Sequence, residues 1–353
     1  MKIISGLLKS VLKHHSLNVF RHLVIVGAIV ATVLNSGSAT ACTSAIVGAD
    51  RSASGATLLW KHRDTGAKYN YISHHEAIDS TYEYIALHNY DDTEGSEAWM
   101  GMNRAGLVVF NTASYNLAPD TAAVKDREGV VMTMALRTCL TVDDFEQLLV
   151  TLPRPMGIQA NFGVTDAGGV SAWFEAYDHG YKRYDVDPGD VVVRTNYSHS
   201  GGNERRLGLA REQTARRLLD TTDSIAPLSI INPLSKRWLD PVTGRDVLAS
   251  GPCDIIDTGD YIPRYISTAS IVVECVPSEQ GDGSNYIMWS AIGYPVSAEV
   301  YRVTFDNIPT QVLPGPDNIT PSEHQAEKFK NSVYTGKYKN NKRIISCRQL
   351  LQP

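Results

Sequence analysis

Apolar and polar positions alternate in several short runs of this chain and switch to a helical period in its middle, so strands flank a helical centre. The first runs are Thr43 to Ala49 and Thr57 to Asp64, and the small-residue turn Ser52-Ala53-Ser54-Gly55 between them makes a β-hairpin with a loose connection. Trp99 to Met102 and Leu107 to Asn111 flank Asn103-Arg104-Ala105-Gly106, whose Asn and Gly suit positive φ, and form a second hairpin. From Arg127, Val131, Met134, Ala135 and Thr138 fall at helical spacing. Thr141, with Asp144 three residues on, then marks the start of another helix through Leu149. Pro153 and Pro155 stop the helical run. Strands return at Asn161 to Thr165, Val170 to Tyr177 and Val191 to Thr195, with Gly168-Gly169 as the turn between the first two. The pattern predicts a further helix over Glu204 to Leu219, rich in Arg on its polar side, and a helix-poor loop or small insertion over Asp220 to Asp260. Ser270 to Cys275, Asn285 to Ile292 and Glu299 to Phe305 read as strands, and the Lys-rich tail from Glu323 as helical or partly ordered. Strands, then helices, then strands predict an α+β chain: antiparallel sheet covered by helices in one layered domain.

The first 41 residues differ from the rest. Lys2, Lys9, Lys13 and Arg21 precede the uncharged stretch Leu23 to Leu34, a polar Asn-Ser-Gly-Ser run and Ala39-Thr40-Ala41. This is the layout of a secretory signal peptide, which predicts cleavage after Ala41, a mature domain over 42–353 and a periplasmic or extracellular location. The apolar stretch of 12 residues is shorter than the roughly 20 that span a bilayer, so no stable membrane span is expected after processing; the long region before the stretch leaves an uncleaved anchor as the alternative. The net charge of −5, without a run of Lys or Arg, excludes the electrostatic footprint of a nucleic-acid partner. His74-His75-Glu76 lacks the second His at helical spacing of a zinc protease and reads as an exposed loop.

Five cysteines are an odd number, so one at least stays without an intramolecular partner. Cys139 reads as a buried small hydrophobe, and Cys253, Cys275 and Cys347 could include a disulfide. Cys42 stands directly after the Ala39-x-Ala41 site. Its thiol and a freed α-amino group with a pKa near ~8 would place nucleophile and base in one residue.

Cys42-Thr43-Ser44 opening a strand, followed by Leu59-Trp60-Lys61-His62-Arg63-Asp64, resembles the start of the N-terminal-nucleophile (Ntn) linear amide hydrolases: choloylglycine hydrolases, acid-ceramidase-like amidases and the isopenicillin N acyltransferase group. Gly101-Met102-Asn103-Arg104-Ala105-Gly106-Leu107 with Asn111, then Arg194-Thr195-Asn196, then Ile262-Pro263-Arg264-Tyr265 extend the likeness in order to about Phe305. Trp60 to Asp64 and Asn111 to Asn116 look most like the bacterial branch termed carcinine hydrolase or isopenicillin N acyltransferase-like.

The resemblance implies a four-layer αββα sandwich of antiparallel sheets and attack of Cys42 on a small-molecule linear amide through a thioester, with water or an amine as acceptor. Asp64 would orient the α-ammonium or thiol, Asn111 would form the oxyanion hole with a backbone N–H, and Asn196 would add a second amide. Lys61 and Arg264 would bind substrate or stabilise charge; Lys61 stands where choloylglycine hydrolases carry Arg, a point charge in place of a bidentate fork. No metal or organic cofactor is implied, and a homo-oligomer is left open. Each residue also has a structural use: Asp64 could start the turn at Thr65-Gly66, Asn111 and Asn196 could serve strand ends, with Asn116 close to Asn111, and Arg264 could be a solvated edge residue. A lipoprotein or binding module anchored at Cys42 is an alternative, against which Ala39 stands where a lipidated Cys has a large apolar residue. A related dipeptidase family that shares the opening Cys-Thr is another.

Overall fold

The computed structural model describes residues 41–249, 255–339 and 342–346. The predicted export segment therefore lies outside the described residues except for Ala41, as do Cys253 and Cys347. The strands are β1 (Thr43–Val47), β2 (Thr57–Asp64), β3 (Asn70–His75), β4 (Tyr84–Asn89), β5 (Met100–Asn103), β6 (Val108–Ala113), β7 (Gln159–Thr165), β8 (Ser171–Tyr177), β9 (Gly180–Asp185), β10 (Val191–Arg194), β11 (Ile255–Asp257), β12 (Ser267–Cys275), β13 (Ile287–Ile292), β14 (Tyr301–Val303), β15 (Tyr334–Lys339) and β16 (Lys342–Ser346). The α-helices are α1 (Glu128–Thr138), α2 (Val142–Thr151), α3 (Leu209–Leu219), the single turn α4 (Pro227–Ile230) and α5 (Pro321–Val333).

Two antiparallel sheets form the centre. One has six strands in the order β10-β1-β2-β12-β13-β14 and the other seven in the order β3-β4-β5-β6-β7-β8-β9. The alternation of side chains along each strand sorts most of the core into three apolar seams, beside a smaller cluster in which Trp238, Ala291 and Tyr294 meet Ala326 and Val333 of α5. Ile46, Leu59, Ile271 and Val273 of the first sheet meet Ile85, Leu87, Val108, Phe110 and Trp173 of the second. On the far side of the seven-stranded sheet, Val109, Phe162 and Phe174 pack under Val131, Leu136, Phe145 and Leu149 of α1 and α2. On the far side of the six-stranded sheet, Ala45, Leu58, Trp60 and Val272 pack under Ala215, Leu219 and Ile230 of α3 and α4. The layers thus run helix, sheet, sheet, helix, the arrangement the resemblance implied. Fully burying one such Leu or Phe side chain is worth roughly 2–3 kcal/mol, so each seam contributes far more than its turns.

The connections follow local chemistry. Asn103 accepts from Leu107 N through Oδ1 at 2.7 Å and donates through Nδ2 to Leu136 O and Cys139 O, both 2.9 Å, tying the β5–β6 turn to the end of α1. A Cβ on Gly101 would lie 2.5 Å from Leu136 Cδ1, so the glycine lets α1 close onto β5. The predicted start of α2 is a capping box: Thr141 Oγ1 accepts from Asp144 N, and the Asp144 carboxylate accepts from Thr141 N.

Several expectations are corrected. β3, β4 and β9 were not predicted, and His74 and His75, read as an exposed loop, end strand β3 half-buried. The helix expected from Glu204 begins at Leu209, after a short 3-10 turn at Asn203–Arg205. The segment read as helix-poor holds α4 and a π turn at Ile231–Ser235, because Pro227 at the first turn and Ile230, Ile231 and Leu234 seat it on the sheet. The strand expected over Glu299 to Phe305 is confined to three residues; the tail is helical as expected over α5 and then adds the unexpected β15–β16 hairpin. Cys139 and Cys275 are buried free thiols, so Cys275 does not contribute to the anticipated disulfide.

Candidate active site

Strand pairing sets the site. In the β1–β2 register Thr43 faces His62 and Ser44 faces Lys61, and Ala41 N donates to Asp64 O at 3.1 Å, which continues the ladder past Cys42 and puts Cys42 opposite Arg63. Directly opposed residues of an antiparallel pair share a face. Cys42, Ser44, Lys61 and Arg63 therefore point toward the second sheet, while Thr43, His62 and Asp64 point toward α3. Cys42 is 6% exposed, and its Sγ lies 4.0 Å from Asp64 O.

On the thiol side, Lys61 reaches across to the second sheet and donates to Asn111 Oδ1 and to Trp99 O, both at 2.7 Å. It is 1% exposed. Burial pulls its pKa down from 10.5 to about 7, opposed by the charge of Cys42. With Oδ1 engaged by a cation, the Asn111 amide presents Nδ2 as its donor. Arg63 donates to Asn70 Oδ1 and, at 2.7 Å, to Asn89 Oδ1, and its guanidinium lies 5.0 Å from the centre of the Trp99 ring. Burial lowers its pKa to about 10, which leaves it charged at neutral pH.

On the helix side, Asp64 is fully buried and takes two hydrogen bonds from Arg264 on Oδ2, from Nε at 3.0 Å and Nη2 at 2.6 Å. Its Oδ1 accepts from Ser267 Oγ, with His62 Nε2 at 3.6 Å. Burial lowers the His62 pKa to about 4, so it is neutral near pH 7. The same Arg264 Nη2 donates at 2.9 Å to Ala41 O, the carbonyl of the peptide bond at the predicted cleavage point. One residue further on, Arg211 of α3 donates to Cys42 O at 2.6 Å, to Thr43 Oγ1 at 2.8 Å and to Asn196 Oδ1 at 2.7 Å. Burial brings the Arg211 pKa to about 9. Asn196 Nδ2 donates to Ala113 O at 3.0 Å, linking this grip to the end of β6. The Cys42 backbone is thus held from before and behind by two guanidiniums.

The chain is similar to three solved structures: a Caenorhabditis elegans ortholog of N-acylethanolamine-hydrolyzing acid amidase, with 14% identity and a TM-score of 0.47, covering 70% of this chain and 99% of that one; conjugated bile acid hydrolase from Clostridium perfringens, with 12% identity and a TM-score of 0.44, covering 76% and 94%; and penicillin V acylase from Agrobacterium tumefaciens, with 13% identity and a TM-score of 0.43, covering 76% and 87%. No family profile matches the sequence. No curated protein matches it either.

All six residues singled out in the sequence, Cys42, Lys61, Asp64, Asn111, Asn196 and Arg264, converge on the first residues of β1. Arg264, its side chain 16% exposed, forms an ion pair with the fully buried Asp64 where a solvated edge residue was the alternative. Asn116, the competitor of Asn111, donates to Ser198 O and Gly202 O and serves a loop. Sequence reasoning missed Arg211, Arg63 and Ser267. Arg211 was hidden among the arginines of a helix face, yet Leu207-Gly208-Leu209 before it holds a clue. Gly208 has φ +91°, and a Cβ there would lie 2.3 Å from Arg211 Nη2, so only glycine lets the guanidinium pass. Among the described residues no group of three or more His, Cys, Asp or Glu side chains could hold a metal ion, and no helix is long and apolar enough to cross a membrane.

Proposed function

We propose that this chain is an exported amidohydrolase in which removal of residues 1–41 makes Cys42 the first residue and the nucleophile. The α-amine takes the thiol proton, and the thiolate attacks the carbonyl carbon of a linear amide. The negative charge that develops on the carbonyl oxygen meets Asn111 Nδ2 and a backbone N–H, with Asn196 as a second amide nearby. Collapse expels the amine, which leaves with the proton from the α-ammonium, and a thioester remains on Cys42. Water then releases the acid; transfer to another amine would share the same thioester. Asp64, held in place by Arg264 and Ser267, orients the freed α-ammonium of Cys42, and Lys61 fixes the Asn111 amide and adds positive charge on the thiol side. Secretion implies a periplasmic or extracellular location and a small-molecule substrate.

The observation that carries this reading is the hold on both sides of Cys42 in the uncleaved chain: Arg264, paired with Asp64, grips the carbonyl at the cleavage point, and Arg211 grips the Cys42 carbonyl, which cleavage leaves in place. A cysteine kept only for packing needs neither. Intact-mass measurement of the exported protein before and after iodoacetamide tests it. A chain that begins at Cys42, gains one carbamidomethyl group there and then loses all amidase activity supports the reading. A diacylglyceryl mass on Cys42, or full activity of Cys42→Ala, ends it.

A further inference from the structure

The two amides that the proposed reaction places at the oxyanion belong to different sheets. Asn111 lies in β6 of the seven-stranded sheet, and Asn196 follows β10, the edge strand of the six-stranded sheet. Their separation therefore depends on what joins the sheets at that end. The apolar seam does not reach it: among the described residues, none of the seam's buried side chains comes from 111–116, 159–161 or 193–198. Polar groups make the junction instead, and Asn161 of β7 stands at its centre.

Asn161 is fully buried and sits in the ladder between Thr112 of β6 and Glu175 of β8. Its Nδ2 donates to Thr112 Oγ1 at 3.0 Å, to Thr195 O at 3.2 Å and to Tyr197 O at 3.1 Å. Thr112 is the residue after Asn111, and the two carbonyls flank Asn196. The Asn161 Oδ1 accepts from Ser198 Oγ, which lies 2.8 Å from Ser114 Oγ. Carbonyl oxygens only accept, so this side chain has one orientation that satisfies all its partners. Thr112, Thr195, Tyr197, Ser198 and Ser114 are buried as well, and a buried partner left unpaired is costly. Asn196 also donates to Ala113 O at 3.0 Å and accepts from Tyr115 N at 3.1 Å. Those bonds end at the last residue of β6 and beyond it, whereas Asn161 gives a reference point inside the ladder.

Resting on the amidohydrolase reading, we propose that Asn161 is a positioning residue: it touches no substrate, and its amide sets the spacing between Asn111 and Asn196 across which the oxyanion is received.

Two reagents on the mature protein test this. Acylation of Cys42 by p-nitrophenyl acetate passes through a tetrahedral oxyanion and expels p-nitrophenolate. Alkylation by iodoacetamide displaces iodide at a saturated carbon and forms no oxyanion. The ratio of the two rate constants, divided by the same ratio for free cysteine, reports oxyanion stabilisation separately from the reactivity of the thiolate. The wild-type quotient should be about 10² or more, as expected for one oxyanion donor. In Asn161→Ala the alkylation rate should be unchanged while the quotient falls toward one, by about the 10²-fold that a misplacement near 1 Å costs. Thr112→Val is the gentler variant, because the two Nδ2 hydrogens keep two carbonyls. It should fold with an unchanged melting curve and lower the quotient about tenfold. Asn103→Ala is the control for loosening in general. Asn103 is as buried, in the same sheet, and bonded to Leu107 N, Leu136 O and Cys139 O; its loss should lower stability and leave the quotient intact.

A wild-type quotient near one overturns the hydrolase reading, and the proposal with it. A high wild-type quotient that Asn161→Ala retains, or that Asn103→Ala lowers equally, overturns the proposal and leaves the hydrolase standing. If Asn161→Ala does not fold, Thr112→Val decides, and an unchanged quotient there overturns the proposal.

Discussion

Arg211 joins three groups that no smaller cation could hold together. Its planar fork spans Cys42 O, Thr43 Oγ1 and Asn196 Oδ1, whereas the ammonium of Lys is a point charge on a flexible stem. Arg211→Lys should therefore keep the fold and charge but let Cys42 and Asn196 drift. A misplacement near 1 Å costs roughly 10²-fold in rate, so kcat should fall by about that factor with KM little changed, as steady-state kinetics on a variant with an unchanged melting curve would show. Wild-type kcat would remove Arg211 from the site. Lys61 makes a second prediction through its charge. Burial moves its pKa from 10.5 to about 7, so it is protonated below that pH and neutral above. If the charge is used, kcat/KM in the wild type falls as pH rises through about 7, and Lys61→Arg, which stays charged, moves that fall to higher pH. A pH profile shows this directly; an alkaline limb that does not move in Lys61→Arg would exclude Lys61 as its origin.

At the scale of elements, the legible parts were those with strong local chemistry, and the illegible ones lacked an alternation to read, through burial on two sides or through polar edge composition. α2 was readable because Thr141 and Asp144 form its capping box, and Thr141→Ala should cost about 1 kcal/mol of stability in chemical denaturation. β3 and β4 were not readable. In β4, Ile85 and Leu87 enter the seam between the sheets while Tyr84 and Ala86 lie under α1, so the strand shows a continuous run where a half-exposed strand would alternate; β3 has the opposite difficulty, since only Tyr71 and Ile72 are apolar and Ser73, His74 and His75 are polar and half-buried. β9 likewise escaped, being a half-exposed edge strand rich in charge. α5 falls where a polar tail, helical or partly ordered, was expected, but nothing in the sequence showed that its Glu323 turns inward to accept from Asn70 N, so that the side chain ties the helix to β3. Burial raises the Glu323 pKa from 4.5 to about 8. A raised carboxyl binds more protons folded than unfolded, so its contribution is fully present below pH 4.5 and lost as pH rises toward 8. Relative to Glu323→Gln, which does not titrate, the wild type should lose stability across that window at up to about 1.4 kcal/mol per pH unit. Denaturation of both proteins at pH 5 and pH 8 gives the difference; a gap that does not change with pH would show that Glu323 is ionised in the fold.

For the whole molecule, period and element order were enough to predict one layered domain, but not which layer carries the site. The residues that build it run from Cys42 to Arg264 and meet only because β2 lies between β1 and β12 and Lys61 crosses the seam to β6. The packing of the two sheets should therefore control catalysis more strongly than the packing of helices on them. Phe110 and Phe145 are a matched pair for testing this, since both are fully buried aromatics. Phe110 sits between the sheets, its ring 5.2 Å from that of Trp173 at 85°, one residue before Asn111. Phe145 lies on α2 against Phe162 and Phe174, on the side away from Cys42. Replacing either by Ala should cost roughly 3–5 kcal/mol of stability. Only Phe110→Ala loosens the distance across which Lys61 holds Asn111, so at a temperature where both variants are folded its kcat/KM should fall at least about tenfold further than that of Phe145→Ala. Equal activities at equal stability loss would mean that the sheet interface supports the site no more than any other part of the core.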